Sequence, residues 1–369
     1  MAALDLLFLG DIILDVPEPD HWLSGLAPIT RSADLCIAHL EVPHTRRGEE
    51  VAGDVPAPGA DPDHLSALVR AGIHAVSLAG NHMVDCGPVG IADTIDELDR
   101  LGIAHSGAGP DLAEARKPAL IERDGRIVGF LSYNCVGPEL SWAASDRAGC
   151  AYVKVEAADG GPTRPQADLV RIDEESLAQM AADIEALRQR AGLVVVALHK
   201  GITHRPAELA PYERPLSQAA IDSGADVVIG HHAHIIRGVE FHRGKPIFHG
   251  LGNGVVVTNA LSPAQDHPAR KEWAERRKAM FGFEPDPAYP LAPFHPEAVN
   301  GMIGRVLWHE DGRLEAGFIP TWSEPPGRPV PAGERFGEVA DYIEAVGRSG
   351  WLPDVGRDLE EGWVRLRPE

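Results

Sequence analysis

The chain has 369 residues, 44% apolar and 24% charged, with a formal net charge of −21. That length and composition fit a soluble globular protein with a large core, in one domain or two. So acidic a balance argues against a nucleic-acid binder and equally disfavours an anionic membrane surface, since both need basic residues. A small basic pocket for an anionic small-molecule substrate stays open.

The chain enters a strand-like run at once, "LDLLFLG" (4–10). Neither a basic leader nor an apolar stretch long enough for a signal peptide or anchor precedes it, so a cytoplasmic protein is expected. Further strand-length apolar runs follow at 34–40, 75–80, 127–133, 193–199 and 226–232. Helix-like segments lie between several of them, at 63–72, 88–102, 173–192 and 215–224, each closed by Gly after its last apolar turn. Alternation of this kind predicts an α/β fold with a largely covered sheet. "KPIFHGLG" (245–252), a hairpin-like pair over 301–322 around Asp311-Gly312 and a helix at 335–348 complete the series.

Residues 137–170 and 259–300 are rich in Pro, Gly and charge and read as inserts. The second contains a basic stretch, 269–280, read as a short solvated helix. Residues 1–258 are taken as one domain, which 301–369 completes. Cys36, Cys86, Cys135 and Cys150 lack CxxC spacing and are read as reduced core or near-core residues.

Strand after strand ends in metal-ligand chemistry. Asp11 closes the first, His39 and Glu41 the second, and Asn81, His82 and Asp85 follow the third. His199 ends "VVVALH", and "VVIGHHAH" delivers His231, His232 and His234. Ligands of open α/β sheets collect beyond the carboxyl ends of strands. Unpaired, such groups would each cost about 1–3 kcal/mol or more near a core, and a shared cation satisfies them together. Imidazole, carboxylate and amide oxygen without thiolate suit Mn, Fe or Zn in a catalytic rather than structural site. The set is large enough for one or two ions. Of the adjacent Asn81 and His82 only one can readily face a metal, which leaves the other to act as general acid with Asp85 orienting it.

The order GD…LE…GNHxxD…H…GHHxH resembles the CapA family, the poly-γ-glutamate capsule-biosynthesis proteins. The most specific stretches are 76–109 and 224–253. The resemblance implies a calcineurin-like metallophosphoesterase fold, a four-layer αββα sandwich with the metal site where loops of two sheets meet. It places one ion on Asp11 and His234, a second on Asn81, His199 and His232, and Glu41 as the bridging carboxylate. His82 and Asp85 would be the general acid and its partner. Asn253, in "GLGN", matches a family motif without a derivable role.

Two departures stand out. Relatives carry His two residues after the first Asp, where this chain has Ile13, and His39, on the same face as Glu41 if the strand continues, is expected to compensate. Lys200 replaces a frequent Trp, and with Arg205 and Arg237 it is read as binding a substrate carboxylate or phosphate. His204, His231 and His249 are read as pocket liners. The expected activity is a metal-dependent hydrolase, a metal-bound hydroxide attacking a phosphoester, ester or amide while His82 protonates the leaving group. The alternatives are a metal-dependent lyase on a small anionic substrate and a non-catalytic capsule-assembly protein.

Overall fold

The computed structural model describes residues 3–49, 59–260, 272 and 279–368. In chain order it begins β1 (Leu4–Leu14), α1 (Pro19–Leu23), α2 (Ala27–Thr30), β2 (Leu35–Leu40), α3 (Leu65–Arg70), β3 (Ala75–Ser77), α4 (Gly87–Leu101) and β4 (Ala104–Ser106). Next come β5 (Ala108–Gly109), α5 (Leu112–Ala115), β6 (Ala119–Arg123), β7 (Arg126–Asn134), β8 (Gly149–Cys150), β9 (Val155–Ala157) and β10 (Leu169–Ile172). Helix α6 (Glu174–Arg188) leads to β11 (Leu193–Lys200), and α7 (Glu213–Asp222) to β12 (Val227–His232). The strands β13 (Val239–His242), β14 (Lys245–Phe248) and β15 (Asn253–Val257) follow. Last are β16 (Asn300–Trp308), β17 (Leu314–Glu324), β18 (Arg328–Pro331), the helix Phe336–Ser349, β19 (Val355–Glu360) and β20 (Trp363–Pro368).

Two sheets organise these strands. One runs β19-β20-β17-β16-β1-β2-β3-β4, with β15 beside the end of β1 and β18 beside β17. The other runs β13-β14-β12-β11-β7-β6. Within the first, β1, β2, β3 and β4 are mutually parallel, and β16 pairs antiparallel with β1. Within the second, β7, β11, β12 and β14 are parallel.

Period-two alternation assigns each strand residue to a layer. Leu6 and Phe8 of β1 meet Val195, Ala197 and Ile229 of the other sheet in one buried cluster between the sheets. Their neighbours Leu7 and Leu9 face outward, joining Leu68, Ile91 and Leu98 of α3 and α4. On the far side, Val194, Val196 and Leu198 of β11 pack on Met180, Ile184 and Leu187 of α6 and on Leu216 and Ala220 of α7. Helix, sheet, sheet, helix is the four-layer αββα sandwich expected. Helix Phe336–Ser349 adds Val339, Ala340 and Ile343 to the cluster between the sheets.

The 137–170 segment supplies β8, which pairs with β5, and the β9–β10 hairpin. Its Val153, Val155 and Leu169 pack on the outer face of the second sheet. The basic stretch 269–280 lies outside the described residues except for 272, 279 and 280. All four cysteines are buried and free. No helix among the described residues is long and apolar enough to cross a membrane.

Candidate metal centre

Parallel pairing brings the carboxyl ends of β1, β2 and β3 to one place. Asp11 stands opposite His39 in the register, and His39 opposite Ser77. On the second sheet His199 stands opposite His231, and Lys200 opposite His232. The two sheet ends then meet directly, the His232 amide donating to both Asp11 carboxylate oxygens at 3.3 and 3.4 Å. Three histidines here hold left-handed backbone, His232 at φ 88°, His234 at 52° and His204 at 59°. Residues other than Gly cost about 1–3 kcal/mol in that region and keep it only where their surroundings hold it.

One atom each from Asp11, His39, Glu41 and His199 all lie within 4.8 Å of one another, and all four residues are buried. His39 Nε2 is 3.4 Å from Glu41 Oε2, and His199 Nε2 is 3.7 Å from Glu41 Oε1. His199 Nε2 also lies 2.7 Å from Asn81 Oδ1 and 3.1 Å from His232 Nδ1. A single ring nitrogen cannot direct one N–H at an amide oxygen, a second imidazole and a carboxylate together. Separations of about 3.0–3.4 Å are those between neighbouring ligands of an ion bound at about 2.1 Å. Among the described residues neither Glu41 oxygen, nor His39 Nε2, has a hydrogen-bond partner. Buried polar atoms are nearly always satisfied, so the donor set fits a divalent cation.

Electrostatics agree. Burial first, and the Glu41 charge second, hold the Asp11 carboxyl well above the usual range. Burial pushes Glu41 the same way, but the His199 and His39 imidazoles outweigh it and leave Glu41 well below its ordinary value. Burial also holds His199 well below the usual imidazole value and His231 down to about 3. Several carboxyl and imidazole groups are thus crowded into one buried place, a situation that a bound divalent cation relieves by favouring carboxylate and neutral imidazole.

The surroundings fix the donors. His39 Nδ1 meets Ser77 Oγ at 3.1 Å, and Ser77 Oγ is 2.5 Å from Ser132 Oγ of the opposite sheet. That contact leaves Nε2 of His39 for the cluster. Neither serine was picked out from sequence, although Ser77 is the one hydroxyl in the apolar run "AVSLA". Gly80 gives way to the His39 ring, because a Cβ there would stand 2.9 Å from its Nε2. Past Asn81 the chain turns, and His82 Nδ1 contacts Asp85 Oδ2 at 2.7 Å. The His82 side chain is 13% exposed, at the rim of an otherwise buried group. His234 completes the assembly, its Nδ1 3.4 Å from Asp11 Oδ2.

The three cations read as substrate-binding are placed differently. Lys200 is fully buried, its Nζ 3.0 Å from Glu213 Oε2 and 3.1 Å from the His249 carbonyl. His249 continues to Glu240 at 3.2 Å, and Glu240 to Arg214 at 2.7 Å. Arg237 is also buried, its guanidinium donating to the carbonyls of Ile202, at 2.6 Å, and Arg205. It braces the loop that carries His204. Only Arg205 has an exposed side chain, 3.6 Å from Glu208. It lines a cleft of about 390 Å³ with Gly201, Thr203, Tyr212 and Phe281. The Phe281 ring lies 4.7 Å from that of His204, which in turn is 5.7 Å from that of His234. His204 thus stands between cleft and cluster. His231 lies inward, its Nε2 3.2 Å from the Leu9 carbonyl and its ring 5.0 Å from that of His39.

Fold and site together define a four-layer αββα protein whose strand ends build a buried imidazole–carboxylate cluster able to hold a cation. By sequence the chain belongs to the bacterial capsule synthesis protein family PGA_cap, whose model matches residues 5–257. It is 34% identical over 251 residues to the "Probable polyglutamine synthesis accessory protein" of Mycobacterium tuberculosis, covering 67% of this chain and 62% of that one. It is 24% identical over 263 residues to the "PGA biosynthesis protein CapA" of Bacillus subtilis, covering 69% and 63%. The match therefore spans somewhat over three fifths of the curated relatives' length. Solved structures with a distant likeness include the sulfate thiohydrolase SoxB of Thermus thermophilus, with TM-score 0.41 and 10% identity over 94% of this chain and 61% of that one. The calcineurin-like phosphoesterase YfkN of Bacillus subtilis has TM-score 0.36 and 12% identity over 95% and 98%.

Proposed function

We propose that the chain is a metal-dependent hydrolase of a phosphoester, ester or amide on a small anionic substrate. The observation that carries this reading is the buried Glu41, neither oxygen hydrogen-bonded, ringed by His39, His199 and Asp11 and accompanied by the His82–Asp85 pair. Asp11 and His234 would hold one ion, Asn81, His199 and His232 a second, with Glu41 between them and His39 supplying the donor that Ile13 does not. Bound divalent ions supply Lewis acidity, which activates water and neutralises charge developing on the scissile group.

The protein's own part in the proton chemistry falls to His82. Asp85 accepts from Nδ1–H and stabilises the imidazolium, which leaves Nε2–H to protonate the departing oxygen or nitrogen as its bond breaks. The new bond forms to the oxygen of one water, and the proton that water gives up restores His82. Arg205, in the cleft beside His204, offers a cation for a substrate carboxylate or phosphate. A glutamyl chain combines an amide with repeated carboxylates, and relatives named for PGA and polyglutamine synthesis favour it as the first compound to try. Those names also support a second reading, an accessory protein of capsule synthesis without turnover.

Elemental analysis of the purified protein beside Asn81→Ala and His232→Ala variants separates the two. The hydrolase reading expects close to two ions per chain, fewer in the variants. It also expects turnover of phosphoesters, esters or γ-linked glutamyl amides that falls at least 100-fold in His82→Ala. A folded protein that takes up no Mn, Fe or Zn overturns it in favour of the accessory role.

A further inference from the structure

We infer that Asn253 is a metal ligand, its side-chain oxygen completing the coordination of the ion held by Asp11 and His234. The inference rests on the metal-site reading above and adds a residue to it. Asn253 Oδ1 lies 2.9 Å from His234 Nδ1, the same nitrogen that stands 3.4 Å from Asp11 Oδ2. One nitrogen facing an amide oxygen and a carboxylate oxygen at these distances repeats the pattern of Asn81, His199 and Glu41 across the cluster. Each ion would then have one asparagine, and the two halves of the site would be built alike.

The backbone is arranged to bring this amide in. Strand β15 runs parallel to the last residues of β1 with Asn253 opposite Asp11, where the β1 register shifts. The Asp11 amide donates to the Gly252 carbonyl at 3.0 Å. Glycine is required at position 10, where a Cβ would run into the Gly252 carbonyl oxygen, and a Cβ on Gly254 would stand a tight 3.0 Å from the Gly10 carbonyl oxygen. Gly252 itself holds φ 68°. So tight a contact serves little purpose for core packing, because none of the three glycines brings a side chain. Its effect is to set Asn253 against Asp11. The site has a reason to recruit another donor, since residue 13 is isoleucine and packs with Val42, Val256 and Phe294 in a small apolar cluster. His39 reaches in from the Glu41 side and Asn253 from the His234 side.

The test compares wild-type protein with Asn253→Leu, Asn253→Ser and Asn253→Asp after loading with Co(II). Ions per chain are counted, and affinity and the visible Co(II) absorption are measured. Leucine removes the oxygen at similar size, serine leaves it too short to reach, and aspartate keeps a ligand oxygen. With Asn253 as ligand, the leucine and serine variants bind one of the two ions at least ten-fold more weakly. Their Co(II) band intensifies as the coordination number falls, whereas the aspartate variant keeps both ions. Should the leucine variant not fold, the serine variant carries the comparison. Unchanged affinity and spectrum in the variants overturn the inference. So does weaker binding with an unaltered band, the signature of a residue that only orients His234. A wild-type protein that binds no Co(II) overturns the metal-site reading itself.

Discussion

Replacing Lys200 by Met removes the nearer cation from a fully buried pair and leaves the Glu213 carboxylate with the Arg237 guanidinium as its remaining cationic neighbour. Its Oε1 keeps the Ala210 amide at 2.7 Å, but Oε2 loses the ammonium at 3.0 Å. Breaking a buried pair from one side costs about 3–5 kcal/mol, because the remaining buried charge loses its hydrogen-bonded partner. Unfolding entropy of about 2.1 cal/mol/K per residue gives about 0.8 kcal/mol/K for this chain, so the expected fall in Tm is about 4–6 °C. Lys200→Met/Glu213→Gln removes both charges and regains more than half of that loss. Thermal unfolding followed by circular dichroism at neutral pH measures all three proteins, and substrate KM accompanies it once a substrate is in hand. A Tm within 1 °C of wild type for Lys200→Met, with a raised KM, would refute the structural role and return Lys200 to the substrate.

Two further predictions concern other buried groups. His44 is buried, donates its amide hydrogen to Thr94 Oγ1 at 2.8 Å, and is pushed down by burial to about 4 from 6.5. Its neutral form belongs to the folded state, so its stabilisation is complete above about pH 6.5 and drains away as pH falls towards 4, at about 1.4 kcal/mol per unit. Urea melts at pH 7, 6 and 5 should show a decline shallower by about 2 kcal/mol at pH 5 in His44→Phe; equal slopes would count against it. Gly80→Ala puts a methyl group 2.9 Å from His39 Nε2, and calorimetric titration with Mn(II) should find affinity reduced about 10–100-fold while the far-ultraviolet spectrum is unchanged. Retained affinity would mean that His39 is not a donor.

Much of the fold was legible because its signals are local. The apolar runs at 4–10, 34–40, 193–199 and 226–232 match β1, β2, β11 and β12, whose burial on both faces leaves them almost wholly apolar. The helix periodicities of 88–102 and 215–224 match α4 and α7. The strands that escaped notice are short or exposed. Three residues suffice for β4, β6 alternates buried and exposed at its edge, β19 carries Arg, Asp and Glu towards its exposed end, and β20 interrupts its apolar residues with two arginines. At the site, residue types at strand ends pointed to the residues that gather in the cluster, since polar groups there interrupt an apolar pattern. What sequence could not show was which polar residues answer one another. Lys200 and Glu213 are 13 residues apart and Ser77 and Ser132 are 55 apart, and only the packing of α7 on its sheet and of one sheet on the other brings these pairs into contact. Surface cations and buried ones read alike until their partners are known, and in sequence nothing separates the buried Lys200 and Arg237 from the exposed Arg205.

The cluster draws its residues from both halves of the sandwich. Of the residues proposed as donors, Asp11, His39, Glu41, Asn81 and Asn253 ride on the first sheet, while His199, His232 and His234 ride on the second. The cluster therefore works as a caliper across the seam, and its opening is set by the thickness of the layer beneath it. Phe8 and Phe248, with ring centroids 6.4 Å apart, are among the spacers in that layer. A change of side-chain volume there is transmitted to the jaws by two stiff sheets, so residues that never approach the cleft share in setting the spacing of the cluster, and with it how tightly a cation would be held.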